Sequence, residues 1–285
     1  MNIIVPNYEI LNFEAESLVV SDIGMSKVYS KPLLKILREL KMFKEITKVE
    51  LEELFVENGL DESSALEFIG KIIPFRRVEE VYFEKTIILH DWEGRADFEG
   101  LMKSELCANL EFRTFSENIT ESVHGYRCFI VLVCYSYNYD SLKKLYFDLA
   151  RASSKSAIVV CWRMGGLYCI GQPYIAEVGS PCHFCSVDRL INNEAVMPAK
   201  NKWACVLAFC KNKHVGVPSK SLSLYQEMLV IGAIARKVKF FTEYGSGRRY
   251  QDDILHGSYL KLSDGEIFEE CNSHWYMCEC LGRDR

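Results

Sequence analysis

Two close pairs of cysteines are the residues whose type and spacing most clearly indicate chemistry in this sequence. Cys182 and Cys185 have the C-x-x-C spacing and follow a Gly-Ser-Pro segment, while Cys278 and Cys280 have the C-x-C spacing. Zinc prefers soft sulfur ligands in a tetrahedron, and a pair in a tight turn supplies two of them at little cost in loop entropy. We therefore expect these four cysteines to bind one structural zinc ion. Four thiolates leave no open position for catalysis.

Three other interpretations of the cysteines stay open from the residues alone. A redox-active C-x-x-C normally opens a helix directly after a strand, and we expect no such unit around Cys182. The thiols can be unrelated, or Cys271 or His274 can replace one of the four ligands. The two pairs are more than ninety residues apart, which is too far for a zinc ribbon that folds alone. The spacing fits a clip that ties the C-terminal segment to a larger domain.

The composition and the apolar runs indicate a soluble, cytoplasmic protein. The chain has 12 cysteines in 285 residues, and in a cytosolic protein of this size most thiols stay reduced. Its first residues lack the cationic start and the long apolar stretch of a secretory signal. The most apolar run, Cys128–Cys134, is too short to cross a bilayer. We therefore expect no membrane partner.

Residues 1–80 have the pattern of a winged helix-turn-helix domain, in which three short strands precede three helices. The strands are expected at residues 8–13, 18–21 and 25–29. Ser30 is a predicted N-cap of the first helix, and Thr47 with Glu50 forms a capping box at the start of the second. The third helix is expected from about Asp61 to Ile73, where Pro74 stops it.

The third helix has an unusually wide apolar face. At 100° per residue its apolar side chains span roughly 160°, against the roughly 100° that core packing needs. These residues are Ala65, Leu66, Phe68, Ile69, Ile72 and Ile73. Either a second domain covers the excess, or the face forms a groove for an apolar partner. An edge strand beside such a groove can accept a peptide as a further strand.

The charge of the N-terminal domain argues against nucleic acid as the partner. Residues 1–80 hold 10 Lys and Arg and 15 Asp and Glu, a balance of −5 that equals the net charge of the chain. Protein–DNA binding relies on Lys and Arg to neutralise phosphate. A zinc-dependent winged-helix DNA-binding regulator is therefore the second alternative for the function.

Residues 81–285 alternate between strand and helix patterns, which predicts a doubly wound α/β domain. Strands are expected at residues 86–89, 110–115, 128–134 and 157–161, with two short strands at the end. Neither G-x-G-x-x-G nor a P-loop motif occurs, and Gly245-Ser246-Gly247 lacks the third glycine and follows a helix. The domain is therefore expected to be a scaffold without catalytic residues.

The cysteine motifs resemble those of one family. The segment Pro181-Cys182-His183-Phe184-Cys185, followed by Asp188-Arg189-Leu190 and by His274-Trp275 and Cys278-Glu279-Cys280-Leu281, is similar to the B subunits of microcin synthetases (McbB-type). Those proteins are partners of YcaO cyclodehydratases, which make thiazole and oxazole rings in ribosomal peptides. The resemblance implies a degenerate ThiF-like α/β domain that has lost adenylation, preceded by a domain that recognises the precursor peptide.

The resemblance further implies where the leader of the precursor binds. It would add as a strand to the third strand and contact the third helix, which by position gives the peptide-binding residues Met25, Ser26, Lys27, Val28, Tyr29, Leu66, Ile69 and Ile73. ATP would be used by the YcaO subunit and FMN by a separate dehydrogenase subunit. This chain would homodimerise within the complex and have no catalysis of its own. An active ThiF-like ATP-dependent adenylating enzyme is the first alternative.

Overall fold

The chain divides into two units, Met1–Glu80 and Val81–Arg285, here called the N-terminal unit and the α/β unit. The structure is a computed structural model. It describes residues 2–13, 16–21, 24–43, 45–73, 75–77, 82–106, 109–117, 119–196, 202–242 and 254–282. The Gly-Arg segment at 245–249 therefore lies outside the described residues.

The N-terminal unit combines three helices with two small antiparallel sheets. In chain order its elements are β1 (Asn2–Ile4), β2 (Glu9–Asn12), β3 (Ser17–Ser21), β4 (Gly24–Val28), α1 (Lys31–Leu40), β5 (Glu45–Thr47), α2 (Lys48–Glu57), α3 (Glu62–Ile72) and β6 (Arg76–Arg77). One sheet has the order β2-β3-β4 and the other β5-β1-β6. The three expected strands and three expected helices are present. The second sheet was not predicted, because strands of two or three residues are too short to show a period.

Side-chain caps fix the start of each helix in the N-terminal unit. The backbone N–H of Glu50 donates to Thr47 Oγ1 at 3.2 Å, and Glu50 Oε2 accepts from the Thr47 N–H at 2.8 Å, which completes the predicted capping box. Ser30 accepts from the Leu33 N–H, and Asp61 accepts from the Ser64 N–H at 2.9 Å. These short-range bonds explain why the helix starts were predictable.

The α/β unit is built on one large sheet. Its elements are β7 (Lys85–His90), α4 (Phe98–Glu105), β8 (Leu110–Arg113), α5 (Thr120–Val123), β9 (Cys128–Cys134), α6 (Tyr139–Ala152), β10 (Ala157–Met164), β11 (Leu167–Ile170), β12 (Tyr174–Ile175), α7 (His183–Val196), α8 (Trp203–Lys213), α9 (Leu224–Thr242), β13 (His256–Lys261), β14 (Ile267–Cys271) and a 3₁₀ turn, Glu279–Leu281. The strand order is β14-β13-β11-β10-β9-β7-β8, with β12 beside β10.

The sheet is mixed, whereas the sequence pattern predicted its parallel strands and did not give the direction of the two last ones. Strands β8, β7, β9 and β10 are parallel, and β11, β13 and β14 continue the sheet in antiparallel order. The direction reverses at Gly165, whose φ of +62° suits glycine, so that β10 and β11 form a hairpin. The two short strands expected at the end of the chain are β13 and β14.

Helices cover both faces of the parallel half, as expected for a doubly wound fold. Every residue of β9 is buried. Alternate side chains of β9 point to opposite faces: Phe129 packs in a core that includes α4 and α9, and Ile130 in one that includes α6, α7 and α8. Within the described residues, no helix has the length and apolar character needed to span a membrane.

Candidate metal centre and peptide-docking edge

The structure brings the four predicted zinc ligands together. The sulfur atoms of Cys182, Cys185, Cys278 and Cys280 all lie within 4.8 Å of one another. The Sγ–Sγ distance is 3.8 Å from Cys182 to Cys185, 3.3 Å from Cys182 to Cys278 and 3.4 Å from Cys185 to Cys280. Three of the four residues are buried. We call this group the four-cysteine centre.

The spacing and charge of these sulfurs fit a tetrahedral metal ion. A Zn–S bond of about 2.3 Å places the sulfurs of a tetrahedron about 3.8 Å apart. Hydrogen bonds from the three neighbouring thiols lower the pKa of Cys185, whereas burial raises the pKa of Cys182. Four thiolates this close repel one another, so the centre ionises fully only around a cation. The donor set therefore suits zinc.

Local structure holds each pair in a tight turn. The Cys185 N–H donates to the Cys182 carbonyl at 3.1 Å as α7 begins. The Cys278 N–H donates to the Trp275 carbonyl at 2.9 Å, and the Leu281 N–H donates to the Cys278 carbonyl at 3.2 Å. Backbone bonds thus direct both sulfurs of each pair to the same side.

A buried network of amide and hydroxyl groups fixes the C-terminal segment against α7. Gln172 donates through Nε2 to the Cys182 carbonyl at 3.0 Å and to Ser186 Oγ at 3.1 Å. Asn272 Nδ2 donates to Gln172 Oε1 at 3.0 Å, and Ser186 Oγ donates to Asn272 Oδ1 at 2.9 Å. Arg189 Nη2 also donates to Asn272 Oδ1 at 2.9 Å. Sequence reasoning missed Gln172 and Asn272, since lone amides carry no spacing signal.

The structure separates the two alternative ligands. Cys271 is exposed on β14 and lies outside the cluster. His274 lies beside the centre, with Nδ1 at 3.9 Å from Cys185 Sγ and 3.7 Å from Cys280 Sγ. Its Nε2 donates to the Gly179 carbonyl at 2.9 Å. His274 is therefore a neighbour of the four sulfurs rather than a member of the group.

The C-x-x-C pair lies at the start of a helix, because α7 begins at His183, between the two cysteines. The helix does not follow a strand directly, since residues 176–182 separate it from β12. This arrangement differs from the redox unit in which the pair opens a helix at the end of a strand. Both sulfurs are also buried and face Cys278 and Cys280, whereas a redox cysteine needs an accessible thiolate.

His183, which lies within the C-x-x-C, is a core residue. It is buried against Tyr137, whose hydroxyl lies 2.9 Å from His183 Nε2. Burial lowers the pKa of His183 to about 3, so the imidazole is neutral at physiological pH. The histidine supports the start of α7 by packing.

The crevice where a doubly wound sheet usually binds nucleotides is filled by the chain itself. The switch point lies between β7 and β9, because their crossovers run in opposite directions. Asp91, directly after β7, accepts from the N–H groups of Tyr135 at 2.6 Å and Ser136 at 3.0 Å, directly after β9. Backbone N–H groups at this position bind phosphate in nucleotide-binding relatives of the fold. In this protein the Asp91 carboxylate accepts the hydrogen bonds of these N–H groups instead.

A second carboxylate closes the loop that follows Asp91. Glu227, buried in α9, accepts from the Ala96 N–H at 2.7 Å. Trp92 stacks on Phe98 with 5.1 Å between ring centroids. A Cβ on Gly94 would come within 2.6 Å of the Trp92 indole and 2.9 Å of the Glu227 carboxyl carbon. The loop therefore leaves no open cradle of the kind that glycine-rich motifs provide.

In the N-terminal unit, β4 lies at the edge of its sheet, and its outer side pairs with no strand in the part of this unit that the structure describes. Phe13, after β2, and Glu16, before β3, exchange two backbone hydrogen bonds. Residues along β3 therefore alternate between bonding to β2 (Glu16, Leu18, Val20) and bonding to β4 (Ser17, Val19, Ser21). In the observed register, Ser26 and Val28 therefore direct their N–H and C=O groups to β3. Met25, Lys27 and Tyr29 direct theirs outward. Met25 and Tyr29 are 73% and 72% exposed.

The predicted peptide-binding residues of α3 differ in accessibility. Ile69 and Ile73 are fully buried in the core of the N-terminal unit, so they have no surface to offer a peptide in this structure. Leu66 is partly buried and Phe68 is exposed. The two lie on opposite borders of the buried arc. Most of the wide apolar face is thus explained by packing within the N-terminal unit.

Comparison with known proteins gives one consistent result. The family model of the microcin B17-processing protein McbB matches residues 3–282. The McbB protein of Escherichia coli is 20% identical over 287 residues, which covers 97% of this chain and 94% of that protein.

Solved structures show the same fold. A chain of the E. coli microcin synthetase McbBCD complex with pro-MccB17 bound matches with a TM-score of 0.75 and 19% identity, covering 99% of this chain and 100% of that chain. A heterocyclase in complex with substrate and cofactor matches with a TM-score of 0.51 and 11% identity, covering 98% of this chain and 39% of that chain.

Proposed function

The chain belongs to the McbB family of microcin B17-processing proteins, and from this premise we propose that it is the leader-binding scaffold subunit of a thiazole/oxazole synthetase. The complex would cyclodehydrate Cys and Ser residues of a ribosomal precursor peptide in a microcin-type antibiotic pathway. The free edge of β4 is the observation that carries the proposal, because outward N–H and C=O groups are what a peptide needs to add as a strand.

The N-terminal unit is proposed to act as a winged helix-turn-helix recognition element for the leader. Met25, Lys27 and Tyr29 would bond its backbone, while Ser26 and Val28 hold β4 to β3. Of the α3 residues, Leu66 is the one with accessible surface, and Ile69 and Ile73 would support it from the core. The negative balance of the unit would favour a leader with basic residues.

We propose structural zinc as the only cofactor of the chain itself. Cys182, Cys185, Cys278 and Cys280 would hold it, and the bound ion would cross-link the C-terminal segment to α7. The network of Gln172 and Asn272 described above orients both cysteine pairs. Because none of the described cysteines forms a disulfide, a reducing cytoplasmic compartment suits the protein.

The chemistry is proposed to lie on other subunits. The related E. coli complex contains McbB, McbC and McbD with pro-MccB17. By analogy, a YcaO cyclodehydratase would use ATP and an FMN-dependent dehydrogenase would oxidise the azoline rings, while this chain, as a homodimer, holds the peptide. The filled crevice at Asp91 and Glu227 supports a degenerate ThiF-like domain over an active adenylating enzyme. Pyrophosphate exchange by the purified chain alone would contradict this division of labour.

Substitution of Lys27 by proline tests leader capture directly. Its N–H points away from β3, so Lys27→Pro removes a docking donor without breaking the sheet's own ladder. The affinity for a fluorescent leader peptide, taken from the precursor encoded beside this gene, should fall about tenfold or more. Fluorescence anisotropy measures the affinity, and thermal unfolding should stay near that of the wild type.

Two matched variants complete this experiment. Lys27→Ala removes the ion pair with Glu16 at 2.7 Å but keeps the N–H, so the leader should still bind. Val28→Pro removes a donor that the sheet itself uses, so the unit should lose stability. Leader binding by Lys27→Pro at the wild-type affinity would contradict capture on β4.

Leu66→Glu and Phe68→Glu locate the α3 side of the site. The two residues border the buried arc on opposite sides, so a peptide on β4 reaches only one of them. Leader affinity should fall for Leu66→Glu and remain for Phe68→Glu. The reverse result would move the docking groove to the other flank of α3.

A further inference from the structure

The large sheet of the α/β unit ends on one side at β14, whose outer edge pairs with no strand among the described residues. This strand pairs with β13 on one side, and all five of its residues are exposed. Ile267 and Phe268 are 37% and 45% exposed, which is unusual for apolar residues of a strand in an eight-stranded sheet. Exposed apolar edges of this kind are sites where further strands add.

The hydrogen-bond alternation shows which groups of β14 are free. The Lys261 N–H donates to the Glu266 carbonyl, and the Asn272 N–H donates to the Leu255 carbonyl, both at 2.8 Å. Even-numbered residues of β14 therefore bond to β13. The N–H and C=O groups of Ile267, Glu269 and Cys271 point outward. Within the part of the chain that the structure describes, these groups have no backbone partner.

Both faces of the β13–β14 edge open into cavities. On the α9 side a cavity of about 220 Å³ is lined by Ile267, Glu269 and Ala233, among others. On the α7 side a cavity of about 250 Å³ is lined by Phe268, Glu270 and Tyr259, among others. The side chains of an added strand alternate between the two faces, so each face has space to receive them.

The edge is acidic. Glu266, Glu269 and Glu270 follow one another closely along it, and Lys261 lies 3.6 Å from Glu266. Arg236 and Lys237 line the cavity of Glu269, and Arg189 lines that of Glu270, but no ion pair within 4 Å joins them to these glutamates in the part of the chain that the structure describes. Glu270 has a hydrogen bond with the Tyr259 hydroxyl. Carboxylates without an ion pair on an edge with free backbone groups favour a strand that carries Lys or Arg.

A second copy of the same edge fits poorly. In an antiparallel pair of two β14 strands, the register centred on Glu269 sets that residue opposite its own copy. The registers centred on Phe268 and Glu270 set Glu266 opposite Glu270, or Glu270 opposite itself. Like charges directly opposite each other destabilise a strand pair. The charge pattern thus selects against the three self-pairing registers in which the two strands overlap most.

We infer that the β14 edge docks an extended, basic polypeptide segment of a partner, which continues the sheet as a further antiparallel or parallel strand. Its lysine or arginine side chains pair with Glu269 on the α9 side and Glu270 on the α7 side. Apolar residues between them cover Ile267 and Phe268. This surface is separate from β4, and the inference does not rest on leader binding.

The inference is tested with the full-length protein and two fluorescent peptides. One alternates lysine and valine, and the other alternates glutamate and valine. The basic peptide should bind the wild type at least about tenfold more tightly than the acidic one, as measured by anisotropy. Glu269→Pro removes an outward N–H that the protein's own sheet does not use, so it should abolish this binding and leave thermal unfolding nearly unchanged.

Matched variants separate strand addition from general charge attraction. Glu269→Ala keeps the N–H and should weaken binding less than Glu269→Pro. The double variant Glu269→Lys, Glu270→Lys should reverse the preference in favour of the acidic peptide. All measurements are repeated in Lys27→Pro, whose β4 edge no longer accepts a strand, so that the preference for the basic peptide in this variant reports on β14 alone.

Three results would overturn the inference. They are equal binding of the two peptides, binding by Glu269→Pro at the wild-type affinity, and loss of binding in Lys27→Pro, which would move the peptide to β4. A sedimentation experiment adds a fourth, because dimers that dissociate in Glu269→Pro would mean that a second copy occupies the edge.

Discussion

The four-cysteine centre and the switch-point crevice both gather acidic groups in the α/β unit, yet only one of them is satisfied by the chain. In the crevice, Asp91 and Glu227 accept three hydrogen bonds from backbone N–H groups. In the centre, four thiols face one another within 4.8 Å. Each thiol therefore has mainly other thiols as its hydrogen-bond partners.

This difference distinguishes a site that needs a bound ion from one that does not. Backbone N–H groups that point to empty space attract an anion, and a carboxylate from the same chain removes that attraction. Thiols that converge without a counter-charge keep their attraction for a soft cation. The comparison explains how one domain can fill its switch-point crevice with its own carboxylates and still keep a group of thiols suited to a metal ion.

The largest expected effect comes from removing one ligand of the four-cysteine centre. Cys278→Ser should reduce the zinc content from one ion per chain to none. A structural zinc site contributes on the order of 10 kcal/mol to the free energy of folding. The variant should lose much of this contribution. Elemental analysis and limited proteolysis of the C-terminal segment measure the two effects.

A chelator gives the same test where the variant fails to fold. Treatment of the wild type should release the ion and expose the C-terminal segment to protease. If the native protein contained neither zinc nor another thiophilic metal, the four-cysteine centre would not need a bound ion, and the contrast with the crevice would be wrong.

Asp91→Ala should have the next largest effect. It leaves the N–H groups of Tyr135 and Ser136 without their acceptor, which costs about 1–3 kcal/mol of the free energy of unfolding. Urea denaturation measures the loss, and Asp91→Asn, which keeps one acceptor oxygen, should lose less. Should ATP raise the melting temperature of the wild type, the crevice is not filled in the way described.

The pH dependence of the crevice gives a smaller effect with a defined sign. Burial raises the pKa of Asp91, and the bonds from Tyr135 and Ser136 offset it only in part. The folded protein therefore holds this proton more tightly than the unfolded chain does. The contribution of this raised pKa to the free energy of unfolding is fully present below the unfolded pKa of Asp91, and it is lost as the pH rises through the folded pKa. The free energy of unfolding of the wild type and of Asp91→Asn is measured in urea at several pH values. The stability of the wild type relative to Asp91→Asn should fall as the pH rises through the folded pKa of Asp91.

Cys271→Ser should have almost no effect. This cysteine is exposed on β14 and lies outside the four-sulfur group. The zinc content and the melting temperature should match the wild type, in contrast to Cys278→Ser. A lost metal ion in Cys271→Ser would show that the wrong cysteines have been grouped.

The sequence by itself determined the features that depend on neighbouring residues. The caps at Ser30 and Thr47, the buried strand Cys128–Cys134 and the absence of a glycine-rich loop are local, since each involves residues within a few positions of one another. The two cysteine pairs were also recognisable in the sequence, because the cysteines of each pair are only two or three positions apart. Pairing them across more than ninety residues needed the further argument that zinc requires four ligands.

Only the tertiary structure decided which groups are free. The same isoleucines that suggested a peptide groove, Ile69 and Ile73, proved to be core, because burial depends on what packs against a face and not on its apolar width. The outward N–H groups of Lys27 and Glu269 follow from strand register, and the acceptors at Asp91 and Glu227 come from distant contacts. These properties arise between segments far apart in the chain, where residue periodicity carries no information.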